Sequence, residues 1–312
     1  MRVLITGVSG YIGSFLAELF DQDAQVETIV GIDVAPPRRR LDKLVHVQRS
    51  VTAPFADVLV EHGVDAAIHL AFIVDPMRDS DRQRRINIGG TANFLAACSE
   101  ARIRNVTLAS SATAYGAHQD NPVPMAESQP LRADPSFPYA FEKVVLEQLA
   151  AAFGSAHPRA CVKVVRPTIV AGPHVSNFIS RSFERTLMPI VSGMDPLYQM
   201  VFEEDAARAF YEIARHGGPG AFNVAPDDAV ALGELSRLAG ARTMPMPYPL
   251  ARLLVEIGWR AGITAITEAP PGLMRFLTYP WVISPERLIS ELGFQFRFGT
   301  RQTLQTFLNG KA

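Results

Sequence analysis

The segment T-G-V-S-G-Y-I-G at positions 6–13 constrains the fold more than any other stretch of the chain. It follows a short apolar run, Arg2 to Thr6, and opens a stretch, Tyr11 to Asp21, whose apolar residues recur at spacings of three and four. A chain that passes from strand to helix in so few residues must turn tightly. Gly7 permits that turn, Gly10 lets the backbone approach a phosphate, and Gly13 lets the helix pack close to the sheet. The strand before and the helix after make this a dinucleotide-binding loop, with Gly7, Gly10, Tyr11, Ile12 and Gly13 as its cofactor-binding residues.

The rhythm then repeats. Arg2 to Thr6, Val26 to Asp33, Leu44 to Val47, Val64 to Leu70, Asn105 to Ala109 and Ala160 to Arg166 read as strands. Tyr11 to Asp21, Pro54 to His62, Asp81 to Ala101 and Tyr139 to Phe153 carry helical spacing between them. Alternation of this kind predicts an α/β fold with a doubly wound, Rossmann-like parallel sheet. After Pro167 the pattern breaks into Pro- and Gly-punctuated pieces, such as P-M-P-Y-P at 245–249 and A-P-P-G at 269–272, which predicts a smaller irregular C-terminal lobe. The expected division is a dinucleotide-binding domain over 1–170, to which 196–225 returns, and a substrate-binding lobe over 171–195 and 226–312.

Composition narrows the possible partners. The chain of 312 residues is 48% hydrophobic and 20% charged, which excludes a disordered tail or a fibrous repeat. Its 30 Lys plus Arg nearly balance 31 Asp plus Glu, so there is no electrostatic footprint for nucleic acid or an anionic membrane, and neither partner is expected. Cys98 and Cys161 read as inert thiols in a reducing compartment. Met1 and Arg2 are followed by too short an apolar run for a secretory leader, and no apolar stretch reaches about 18 residues, so the expected location is the cytoplasm. No His, Cys or carboxylate spacing suggests a metal. His69, ending a buried strand, reads as a satisfied core residue, and Arg38 to Arg40 as a solvated loop.

Asp33 lies twenty residues beyond Gly13, at the end of the second strand. A carboxylate there accepts hydrogen bonds from the adenosine ribose and repels a 2′-phosphate, which favours NAD; the arginines that follow on the same loop keep NADP open. Farther on, Y-A-F-E-K places Tyr139 four residues before Lys143. With four lysines and seven tyrosines in the chain, roughly 0.09 such pairs arise by chance. On a helix the two share a face. A phenol with a reference pKa of about 10 is a poor base near neutrality. An ammonium at about 5 Å, with an effective dielectric of about 20, supplies on the order of 3 kcal/mol toward phenolate; a positive nicotinamide adds to this and desolvation opposes it. Tyr139 thus reads as acid and base. Ser111, in A-S-S-A-T-A-Y-G after the fifth strand, reads as the hydroxyl that holds the same carbinol oxygen.

Taken together these segments resemble the extended short-chain dehydrogenase/reductase family, in particular its NAD-dependent epimerase/dehydratase branch. The resemblance runs along nearly the whole chain. It takes in the glycine loop, Asp33, H-L-A at 69–71, N-I-G-G-T-A-N-F-L at 87–95, the serine and Y-G segment at 110–116, Tyr139 with Lys143, R-P-T-I-V-A-G-P at 166–173, E-E-D-A-A-R-A at 203–209 and E-L-G-F at 291–294. It implies Ser111, Tyr139 and Lys143 as the catalytic trio, with Lys143 also holding the nicotinamide ribose. It further implies Asn87 as a residue positioning that lysine through water, Ala71 in the cofactor cleft, and Arg166 among the cofactor-binding residues. A homodimer paired through Asp81 to Ala101 and Tyr139 to Phe153 is implied as well.

The shared first step of the family is hydride transfer from a secondary carbinol to nicotinamide. The acid pair that dehydratases carry after the serine segment is absent, since Ser111 is followed by Ala112 and Thr113. S-A-T-A-Y-G at 111–116 instead resembles the epimerases, so the leading expectation is epimerase-type chemistry on a sugar or sugar nucleotide. Other features point away from a nucleotide sugar. Ile169 and Ala171 stand where such members usually have Asn and Tyr, and L-Y-Q-M-V-F at 197–202 lacks their arginine. A diphosphate's burial demands donors, and Arg181, Arg185 and Arg275 are the candidates that could supply them from other positions. Net dehydrogenation or reduction of a less polar alcohol or ketone is the alternative, with a non-catalytic nicotinamide-sensing regulator behind it. Regulators of that kind tend to lose the tyrosine and lysine retained here.

Overall fold

The computed structural model describes residues 1–310. Strands β1 (Arg2–Thr6), β2 (Thr28–Asp33), β3 (Leu44–Gln48), β4 (Ala66–His69), β5 (Asn105–Ala109) and β6 (Cys161–Pro167) pair in parallel. Four short strands follow: β7 (Ile169–Ala171), β8 (Leu187–Val191), β9 (Leu197–Tyr198) and β10 (Met200–Phe202). The chain then returns to the sheet as β11 (Gly220–Val224), parallel to β6, and ends its strands with β12 (Val230–Ala231) and β13 (Arg242–Met246). The central sheet has seven strands in the order β11-β6-β5-β4-β1-β2-β3. Its direction of winding reverses between β1 and β4, which opens a crevice at the carboxyl ends of those two strands.

Alternation within β1 shows why both sheet faces are covered. Val3 and Ile5 pack with Leu16, Ala17 and Phe20 of α1 (Tyr11–Gln22) and with Ala206, Ala209, Phe210 and Ile213 of α7 (Glu203–His216). Leu4 points to the other face, among residues of α2 (Ala56–Glu61), α4 (Gly90–Glu100) and α5 (Pro138–Ala156). In α1 the buried residues Gly13, Leu16, Ala17 and Phe20 keep the spacing of three and four that made the helix legible. The stretch 81–101 is not one uniform helix. It is α3 (Ser80–Arg84), a π-helical turn over Arg85–Gly89, and then α4. The wide turn carries Asn87, whose Oδ1 accepts the Ile73 N–H at 2.7 Å and whose Nδ2 donates to Glu142 of α5 at 2.7 Å.

A second core lies beyond the sheet ends. Phe137, Phe178, Tyr198, Phe276 and Trp281 are buried together there, with Tyr115 and Met125. Around it, β7 pairs in parallel with β10, β9 with β12 antiparallel, and β8 with β13 in parallel. Helices α6 (Phe178–Phe183), α8 (Leu232–Leu238), α9 (Tyr248–Ala261), α10 (Glu286–Leu292) and α11 (Thr300–Asn309) complete the chain. Among the described residues no helix is long and apolar enough to cross a membrane.

Candidate active site

The glycine loop turns under tight contact. Gly7 has φ 75° and donates its N–H to Ile32 O at 2.8 Å, while its own carbonyl accepts Gly10 N–H at 3.0 Å. A Cβ on Gly7 would sit 2.7 Å from the Ala71 nitrogen, and one on Gly13 would collide with the Gly7 carbonyl. Ala71 therefore backs the loop, and the helix begins within contact of the strand end. Gly10 is the N-cap of α1 and offers no side chain to its N–H groups, and no acidic residue lies in the first turn. Those open donors and the positive end of the helix dipole suit a pyrophosphate, so the residues present fit a dinucleotide.

Asp33 stands at the end of β2 with one oxygen accepting Ser9 N–H and the other Ala35 N–H, both at 3.0 Å. It fixes the loop to the strand end and keeps further lone pairs for ribose hydroxyls. Two of the three arginines that follow are engaged by the protein: Arg38 Nε donates to Ser9 O at 2.9 Å, and Arg39 pairs with Glu18.

A cleft of about 210 Å³ opens from this loop and is lined by Gly7, Gly10, Tyr11, Ile12, Gly13, Ser111, Tyr139 and Lys143 together. Tyr139 and Lys143 come from the first turns of α5, and Ser111 from the start of the 3-10 turn after β5. The serine accepts Thr113 N–H at 3.2 Å and the Thr113 hydroxyl at 2.9 Å. With its oxygen so occupied, the Ser111 proton is left for a partner in the cleft. Lys143 is buried, donates to Ala109 O at 2.6 Å, and lies 3.4 Å above the centre of the Phe72 ring and 5.7 Å from that of Tyr139.

The electrostatics differ from the expectation at one point. Burial pulls the Lys143 amine down to about 7, against the opposing pull of Glu147 and Glu142. Burial also raises the Tyr139 phenol above its ordinary value, and the hydrogen bond with Ser111 opposes that rise. In the protein alone, desolvation therefore leaves the phenol above its ordinary value.

Four expected site residues, Asp33, Ala71, Asn87 and Arg166, are not among those that line this cleft. Asn87 is held by Ile73 and Glu142 as described, so its amide ties α5 to the loop after β4. Arg166 is buried and fully engaged. Nε and Nη2 bind Glu147 at 2.9 and 2.6 Å, and Nη1 donates to the Tyr115 hydroxyl at 2.6 Å and to Glu127 O at 3.0 Å. Burial works against its charge, but the Glu147 contacts hold its pKa above the ordinary arginine value. Ala71 meets the glycine loop through its backbone. His69 lies between the hydroxyls of Thr6, at 2.7 Å, and Thr91, at 3.1 Å, and burial followed by the Lys143 charge lowers it to about 3.

Other participants were not read from the sequence. Phe72 supplies the ring beneath Lys143, and Thr113 orients Ser111; the latter was accessible from its place two residues after the serine. Glu203, buried at the start of α7, accepts from the Tyr11 hydroxyl at 2.5 Å and is 2.6 Å from His174 Nδ1. Burial and then the Glu203 charge raise the Tyr11 phenol, so Tyr11 stays a neutral donor tying the glycine loop to α7.

A sequence profile described as "NAD dependent epimerase/dehydratase family" matches residues 3–225. The chain belongs to this family. It is accordingly an NAD-dependent enzyme of the extended short-chain dehydrogenase/reductase type. Family relatives include an uncharacterized protein of Mycobacterium tuberculosis, 26% identical over 317 residues, 99% of this chain and 84% of that protein. The UDP-glucose 4-epimerase of Azospirillum brasilense is 33% identical over 164 residues, 50% of this chain and 45% of its own length. Among solved structures, MoeE5 in complex with UDP-glucose and NAD superposes with a TM-score of 0.77 at 25% identity, over 100% of this chain and 98% of that one.

Proposed function

We propose that this protein catalyses reversible hydride transfer at a secondary carbinol, with Ser111, Tyr139 and Lys143 as its catalytic residues. The observation that carries the reading is the convergence of these three side chains with the glycine loop in one cleft. NAD, when bound, would supply the hydride acceptor and a positive charge that favours phenolate at Tyr139. Tyr139 takes the hydroxyl proton, Ser111 donates to the carbinol oxygen, and Lys143 holds the nicotinamide ribose. Asp33 receives the adenosine ribose. Asn87 and Arg166 act at a distance, Asn87 by fixing Glu142 and Arg166 by fixing Glu147, both on the helix that bears Tyr139.

In the leading form the ketone turns over in the site and takes the hydride back on its other face. Its substrate is a sugar or sugar nucleotide, a reading supported by the S-A-T-A-Y-G segment and by relatives named UDP-glucose 4-epimerase. A second form, net oxidation or reduction of a less polar carbinol, is favoured by the apolar cavity beside the cleft. Incubation with NAD and a panel of nucleotide sugars and simple carbinols separates the two. Inversion of product stereochemistry without accumulating NADH marks the epimerase, and stoichiometric NADH marks the dehydrogenase. No reaction with any member of the panel would reject the hydride-transfer reading.

We assign residues 1–170, with 196–225, to cofactor binding, and 171–195 and 226–312 to substrate binding. We also assign the chain to the cytoplasm, consistent with Cys98 and Cys161 both being free thiols. The outer faces of α4 and α5, where Ala92, Ala96, Gln148, Ala151 and Ala152 are exposed, support pairing as a homodimer. Light scattering at twice the chain mass is the expected result.

A further inference from the structure

Next to the catalytic cleft lies a second cavity of about 170 Å³. The two are contiguous, sharing Thr113, Ile169, Ile179 and Trp281 as wall residues. Its remaining wall is overwhelmingly apolar, with Phe137, Phe178, Met188, Leu273 and Phe276 among its residues. Leu187 and Ile266 line it and are also exposed, so it opens to solvent at that end. An apolar cavity of about 150 Å³ is large enough to take up benzene.

The charges nearby are already spent. Arg185 and Glu268 line the cavity, and Arg185 Nη2 donates to Glu268 and to Thr264 O, both at 3.2 Å. Arg181 binds the same carboxylate at 2.7 Å and approaches Asp75 at 3.5 Å. Arg275 is turned to Ala117 O and His118. A diphosphate in this cavity would find no unpaired cation, and its burial would be costly. One buried donor is spare: the Trp281 indole N–H has no partner among the described residues, which suits a single carbonyl or ether oxygen.

We propose a further activity for this site, the oxidation of a lipophilic secondary alcohol to its ketone, with a ring-sized hydrocarbon or aryl group of the substrate seated in the apolar cavity. It rests on the hydride-transfer reading above and differs from the sugar reading in substrate. The carbinol C–H pair passes as hydride to NAD, which is reduced to NADH. The hydroxyl proton passes to Tyr139 and then to solvent, leaving the carbon–oxygen double bond. The ring extends past Thr113 and Ile169 into the second cavity.

The test uses the full chain with NAD and the series propan-2-ol, 1-phenylethanol and 1-tetralol. Each methylene-sized unit that enters the cavity raises kcat/KM about fourfold, so 1-phenylethanol should exceed propan-2-ol at least about 100-fold. Binding is read separately: a Trp259→Phe variant leaves Trp281 as its single tryptophan, and 1-tetralone should change its emission saturably. Leu273→Asp, which puts a charge in the wall, should collapse the ratio between 1-phenylethanol and propan-2-ol toward one. Ring carbinols that react no better than propan-2-ol and leave Trp281 emission unchanged would overturn the proposal. If UDP-glucose is epimerised while ring carbinols neither bind nor react, the proposal falls and the sugar reading stands. If 1-tetralone binds but neither carbinols nor sugars react with NAD, both readings fall.

Discussion

At Lys143 burial and charge oppose one another, and the balance sets a measurable pH dependence. Unfolded, the amine holds its proton up to its ordinary value near 10.5; folded, it releases it above about 7. Between those values the unfolded chain binds more protons, so stability rises with pH by about 1.4 kcal/mol per unit from this group alone, and below about 7 the slope vanishes. Lys143→Met should remove that slope, as read by urea denaturation from pH 7 to 10; parallel curves for the two proteins would contradict the assignment. The Tyr-x-x-x-Lys spacing made the pairing of the two side chains legible. The direction of their pKa values was not, because Phe72 and Ala109, which enclose the amine, arrive from the ends of two strands distant in sequence.

Among the elements, the glycine loop and the long helix α5 position the chemistry. A methyl group at position 13 collides with a backbone oxygen that the Gly7 turn holds in place. Gly13→Ala should therefore cost about 1–3 kcal/mol of stability and weaken NAD binding, measured by thermal unfolding and by calorimetric titration. Helix α5 is anchored to β6 by the buried Glu147–Arg166 pair. Arg166→Leu strands the carboxylate and should destabilise the fold by about 3–5 kcal/mol, measured by urea unfolding. The sequence made the sheet and most helices readable because apolar periodicity reports which face is buried. It concealed the π-helical turn at 85–89, where Asn87 meets Ile73 and Glu142, contacts of which helical spacing carries no record.

Across the whole molecule, a parallel sheet presents the cofactor loop and the catalytic side chains to one crevice, and the irregular lobe encloses the space beyond it. The sheet was legible because each unit is local. The lobe was not, because its pairs join distant segments: β7 with β10, β8 with β13, and the Tyr198 hydroxyl with Phe276 O. Its cavity depends on residues from 113 to 281, and no short motif encodes it. Both catalytic readings return to one phenol at the meeting point of crevice and lobe. The most direct test is a comparison of the parent enzyme with Tyr139→Phe on whichever carbinol reacts, alongside an NAD titration of both proteins. The account predicts turnover reduced by a factor of about 100 or more with NAD affinity near that of the parent; equal turnover in the variant would contradict it.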